Sequence, residues 1–150
     1  MSYEKSQTAV LDYKKVGSSS KKLFETFRNE RTITQPMLQM VADDLCSDFG
    51  IANVPVSFAG KQPKSGGGKT LGLLRRKISL GSKFYSITIF QYTATQMKQL
   101  SPKTALDTLL HELAHYFDFE VLKFDRSPLT AGFFKRINNL KNTLMDKPLY

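Results

Sequence analysis

The chain has 150 residues, a hydrophobic fraction of 41% and a formal charge of +9 at pH 7. That length fits one domain with a real core, and that apolar fraction is ordinary for a globular protein. No run of apolar residues is long enough for a membrane-spanning helix, and the single cysteine, Cys46, excludes both an internal disulfide and a C-x-x-C zinc finger.

The opening Met1-Ser2-Tyr3-Glu4-Lys5 is polar and lacks the apolar centre of a signal peptide. Together with a lone thiol this leads us to expect a cytoplasmic or otherwise intracellular protein. Cys46 itself reads as a core thiol on a helix. The positive charge is unevenly spread. Between Asp48 and Asp107 there is no acidic residue, yet that interval holds Lys61, Lys64, Lys69, Arg75, Arg76, Lys77, Lys83, Lys98 and Lys103. Such a one-sided field favours a polyanionic partner, nucleic acid first, and a solvated basic surface is the plain alternative.

In chain order, residues 1–20 read as a polar arm ending in Gly17-Ser18-Ser19-Ser20, with a short helix conceivable over Gln7 to Lys15. The folded domain is expected over 21–150. Leu23, Phe24 and Phe27 give an amphipathic helix from Lys21 to Arg31, capped by Ser19 or Ser20. Thr34 caps the next helix, with Pro36 in its first turn, an apolar stripe of Met37, Leu38, Val41, Leu45 and Phe49, and Gly50 at its end. Val54, Val56 and Phe58 then alternate with Pro55 and Ser57 as an edge strand. Gly60 to Lys69 reads as a basic hairpin loop. Its Gly66-Gly67-Gly68-Lys69-Thr70 run is not a phosphate loop, because position 63 is Pro where that motif needs glycine, and a strand follows rather than a helix. Thr70 to Arg75 and Lys77 to Leu80, as two strands or one with a bend, and Phe84 to Phe90 read as further strands around a turn at Gly81-Ser82-Lys83. Three or four antiparallel strands make a small sheet. Ser101-Pro102 opens a helix reaching about Glu120, Asp125-Arg126-Ser127-Pro128 breaks the chain, and Thr130 to Leu144 is a last helix.

The Ser101-Pro102 helix carries both histidines of the chain, His111 and His115, four residues apart, with Glu112 after the first. On a helix, residues i and i+4 share a face, so the two imidazoles can reach one metal ion. Glu112 lies about 100° round the helix, within reach of a metal-held water. This is the H-E-x-x-H pattern of zinc peptidases. The alternative is a helix that happens to hold two histidines. The apolar flanks Leu106, Leu109, Leu110, Leu113, Ala114 and Phe117 count against it, because a carboxylate near a core face is costly without compensation.

Helices, a short sheet, the His-Glu helix, a break and a last helix opening near Phe133-Phe134-Lys135-Arg136 resemble, over roughly residues 34–145, the SprT-like (Spartan-type) zinc metallopeptidases. The resemblance implies an α+β, zincin-like single domain and proteolysis of proteins on or crosslinked to DNA. His111 and His115 match the family's first two zinc ligands, and Glu112 its catalytic base. The third histidine of that family lies in a later H-G-x-x-F-type motif. Here Ser127-Pro128-Leu129-Thr130-Ala131-Gly132-Phe133-Phe134-Lys135 puts Leu129 or Thr130 in its place, and no further histidine exists. Asp125, in the break, is the preferred substitute, and Asp118, three residues beyond His115 on the same face, reads as a partner that orients a histidine. A site left with two histidines would hold zinc weakly, which makes a catalytically degenerate binding module the competing reading.

For an enzyme, the expected partners are Zn2+, a protein or peptide substrate, and DNA along Lys61, Lys64, Lys69, Arg75, Arg76 and Lys77. Glu112 would take the proton of the attacking water, Tyr116 or Arg126 would donate to the oxyanion, and the edge of Phe84–Phe90 would pair with substrate backbone. The sequence carries no oligomeric signal.

Overall fold

Thr34 and Ser101 begin helices as expected in the computed structural model, which describes residues 2–63, 71–94 and 97–150, without the side chains of Ser2 and Tyr3. Each accepts from the backbone N–H three residues on, Thr34 from Met37 and Ser101 from Thr104, and Thr130 does the same for Phe133. These caps open α3 (Gln35–Asp48), α4 (Pro102–Glu120) and α5 (Ala131–Leu144). Two shorter helices precede them, α1 (Ser2–Thr8) and α2 (Ser18–Arg28). Gly17, not Ser19 or Ser20, is the N-cap of α2. Those serines instead bond α3, Ser19 Oγ to Asp44 and Ser20 Oγ to Asp48 at 2.6 Å.

The described residues form an α+β domain with five α-helices and a three-stranded sheet of β1 (Val56–Phe58), β2 (Gly72–Ser79) and β3 (Ser82–Ile89), in the order β1-β3-β2. The sheet is mixed rather than antiparallel. β2 and β3 form a hairpin, Ser79 opposite Ser82, whose two loop residues Leu80 and Gly81 both have positive φ, as a type I′ turn requires. β1 runs parallel to β3, Val56 beside Ile87. A tight hairpin dictates antiparallel pairing, but no local signal tells a three-residue strand which neighbour to join. The turn lies one residue earlier than expected, and β2 is a single strand without a bend.

β3 is therefore the central strand, and its expected role as a free edge is not met. The outer edge of β1 is also occupied: Gln39 accepts from Val56 N–H at 2.8 Å and donates to Val54 O at 2.9 Å, while Gln35 donates to Val56 O at 2.8 Å. β1 and β2 are both outer strands, and among the described residues the outer side of β2 has no neighbouring strand.

α4 passes through the middle of the structure, contacting α2, α3, α5 and both long strands. Leu106, Leu109, Leu110, Leu113 and Phe117 are fully buried, together with Leu38, Val41, Leu45 and Cys46 of α3 and Ile87 and Ile89 of β3. Of residues 1–20, expected as a polar arm, the described ones are drawn into this packing. Leu11 and Val16 join the core, and Ser6 is buried against α5. The close approach of α1 to α5 depends on Gly132, where a Cβ would lie 2.2 Å from Ser6 O. No helix among the described residues is long and apolar enough to cross a membrane.

Candidate metal centre on the central helix

α4 turns its one polar stripe toward the free edge of β2. Spacing by four puts His111 and His115 on that stripe with ring centroids 5.0 Å apart. Phe133 from the first turn of α5 lies against both rings, stacked on His115 at 4.3 Å and edge-on to His111 at 5.4 Å. Burial disfavours the protonated imidazoles. It lowers the pKa of His111, and for His115 burial, with the neighbouring His111, brings it down to about 4. Both rings are thus neutral at physiological pH, the form that ligates a metal.

Glu112 is 7% exposed. Burial raises its pKa to about 7, opposed in part by the backbone N–H of Leu74 on β2. A carboxyl poised near neutrality is suited to taking and returning a proton. The strand comes this close because Gly72 has no side chain. A Cβ there would meet Thr108 Cγ2 at 2.7 Å and Thr88 O at 3.0 Å. Between β2 and α4 lies a groove of about 480 Å³ lined by Gly72, Asp107, Thr108, His111 and Glu112. It continues past Leu74, His115, Phe119 and Ser127 as a second hollow of about 370 Å³.

His115 is held from behind. Its Nδ1 is 2.6 Å from Ser127 Oγ, and Ser127 donates to Asp118 Oδ2, also at 2.6 Å. Asp118 in turn meets Arg136 at 3.2 Å, with both side chains buried. Burial raises the Asp118 pKa, against the opposing pull of Ser127 and Arg136. Asp118, expected as a partner of a histidine, touches neither ring directly and reaches His115 only through Ser127. Ser127 and Arg136 were not anticipated. Ser127 lay in a segment that reads only as a chain break, and nothing local marks Arg136 as a buried side chain of α5.

The other expected contributors are placed elsewhere. Asp125 is exposed and is not brought together with the histidines: among the described residues no three His, Cys, Asp or Glu side chains are grouped to hold a metal. Within the break it is Ser127 that faces His115, while the Asp125 carbonyl lies 3.5 Å from Arg76 Nη1. Leu129 is exposed, and Thr130 is committed to capping α5 and to Ser6 Oγ at 2.7 Å. Tyr116 is no oxyanion donor. It faces the core, and its hydroxyl donates to Ala52 O at 2.7 Å. Arg126 is exposed.

Strand alternation divides the basic run Arg75-Arg76-Lys77. Arg75 and Lys77 share the solvent face of the hairpin with Ser86 and the exposed Phe84. Arg76 is on the opposite face, its guanidinium 4.4 Å over Phe119 at the rim of the groove. Lys61 pairs with Tyr92 beyond the far end of β3. Lys64 and Lys69 lie outside the described residues. Of the four described cations, Arg75 and Lys77 share one face of the hairpin, Arg76 lies on the other, and Lys61 lies beyond the end of β3.

The chemistry of the donors fits two positions of a zinc ion: two neutral imidazoles on one helix face, one of them with its second nitrogen already engaged. The described residues supply no third protein ligand. No family model, curated protein or solved structure matches this chain.

Proposed function

We propose that the chain is a zinc-dependent peptidase of the SprT-like, zincin-like kind, acting on proteins at nucleic acid. The observation that carries this reading is the pairing of His111 and His115 on one face of α4 beside Glu112, at the floor of a groove under a free strand edge.

His111 and His115 would hold the metal, which when bound supplies Lewis acidity to a water and a peptide carbonyl. Glu112, buried beside the two imidazoles, would accept the proton of the attacking water and return it to the leaving amine. The edge of β2 offers main-chain groups to an extended substrate, which gives affinity with little sequence preference. Gly72 lets that edge approach α4 closely. The hairpin face of Arg75, Lys77 and Phe84 would rest on nucleic acid, so that substrates are chosen by location. The test is Glu112→Gln, which should abolish peptide hydrolysis while leaving metal binding and the fold intact. Unchanged hydrolysis in that variant would remove the mechanism.

A second reading is favoured by one observation, the lack of a third protein ligand among the described residues. In it the domain is a degenerate relative that has kept the helix as a scaffold and binds nucleic acid or protein without cleaving anything. A folded chain that takes up no metal would establish it over the first.

A further inference from the structure

We propose that Ser127 and Asp118, held by Arg136 and the N-terminal segment, are positioning residues that fix His115 with its proton on Nδ1 and its lone pair on Nε2. The inference deepens the metal-site reading and takes its functional meaning from it.

A count of protons leads there. Asp118 is paired with Arg136, so its carboxylate only accepts. Ser127 has one hydroxyl hydrogen and gives it to Asp118 Oδ2 at 2.6 Å. What Ser127 has left for His115 Nδ1, also 2.6 Å away, is a lone pair. Nδ1 must then be the donor, and in a neutral imidazole Nε2 is left as the acceptor. In water a neutral imidazole carries its proton mainly on Nε2, so the site reverses the intrinsic preference.

The anchor of this relay is distant in sequence. Arg136 donates to Ser6 O, to Ser6 Oγ at 3.0 Å and to Ala9 O at 3.1 Å, as well as to Asp118. These acceptors hold the guanidinium in one orientation, and the guanidinium holds Asp118. The segment from Ser6 to Ala9 thus reaches the imidazole through three side chains. This is a reason for a chain end of polar composition to be folded into the core.

The experiment is long-range 1H–15N spectroscopy of the imidazoles in the full, metal-free chain at pH 8, with zinc titrated into the same samples. His115 should show a protonated Nδ1 and an unprotonated Nε2. Ser127→Ala should move the proton toward Nε2 and weaken zinc binding on the order of 10- to 100-fold. Ser127→Thr, which keeps the hydroxyl, should restore both, and amide spectra report whether each variant is folded. A proton on Nε2 in the unaltered chain, or a tautomer indifferent to Ser127→Ala, overturns the proposal. The tautomer is read without metal. If it is as proposed and zinc does not bind, the metal-site reading fails and the positioning stands; if zinc binds and the tautomer differs, the positioning fails alone.

Discussion

Arg136 and Asp118 meet 3.2 Å apart with side chains only 2% and 1% exposed. Two charges so deeply placed are held by mutual attraction and by hydrogen bonds to Ser6, Ala9 and Ser127. Removing one of them strands the other. Arg136→Met should therefore destabilise the chain by about 3–5 kcal/mol, measured as a fall in the urea midpoint. A loss below about 1 kcal/mol, the scale of a surface pair, would show that the pair is solvated.

Gly132 sets the same junction from the backbone side. A methyl group there would lie 2.2 Å from Ser6 O and 2.6 Å from Gln7 Cα. Gly132→Ala should push α1 off α5 and cost about 1–3 kcal/mol. Limited proteolysis of the variant should cut first within residues 2–16. Equal resistance in variant and parent would contradict the close docking of this segment.

Glu112 gives the metal-free chain a pH dependence. Its pKa rises from 4.5 unfolded to about 7 folded, so the protonated carboxyl is the form the fold prefers. The stability it contributes is fully present below the unfolded value of 4.5 and is lost as pH rises through about 7. Glu112→Gln should then be more stable than the parent chain at pH 8, by up to about 3 kcal/mol, and no more stable at pH 4. Thermal melts in the presence of a chelator measure the difference. An advantage of the variant that does not shrink on acidification would show that Glu112 is not desolvated.

The hairpin faces make a prediction about nucleic acid. Arg75→Ala and Lys77→Ala should each weaken single-strand binding and lower the salt dependence by about one phosphate contact. Phe84→Ala should cost about 1–3 kcal/mol if bases stack on the exposed ring. Arg76→Ala should leave the salt slope unchanged, since its guanidinium lies over Phe119 on the other face. Fluorescence anisotropy at several salt concentrations separates these outcomes. Equal effects at all three cations would contradict the division of the run by strand alternation.

Helices were legible wherever a cap and an apolar period coincide, as at Thr34 and Ser101. A turn at Gly81 was legible, but not its two-residue form at Leu80-Gly81, one residue earlier than the expected Gly81-Ser82-Lys83. The parallel join of β1 to β3 was not legible, because nothing local tells a three-residue strand which neighbour to pair with. The same limit applies to the site. His111, Glu112 and His115 form one local pattern, and Asp118 follows at helical spacing. Ser127 and Arg136 meet Asp118 only because two chain reversals bring them there. Charge was read along the chain as one block, but a strand sends neighbouring residues to opposite faces.

The most direct measurement is zinc bound per chain after dialysis, for the parent, His111→Ala, His115→Ala and Leu129→His. Leu129 is exposed, so a histidine there disturbs no core packing. We predict about one zinc in the parent and none in either histidine-to-alanine variant. In Leu129→His we predict retention against chelator tighter by on the order of 10- to 100-fold, as position 129 supplies the missing ligand. A folded parent chain that takes up no zinc, or takes up as much without His111 and His115, would contradict the account.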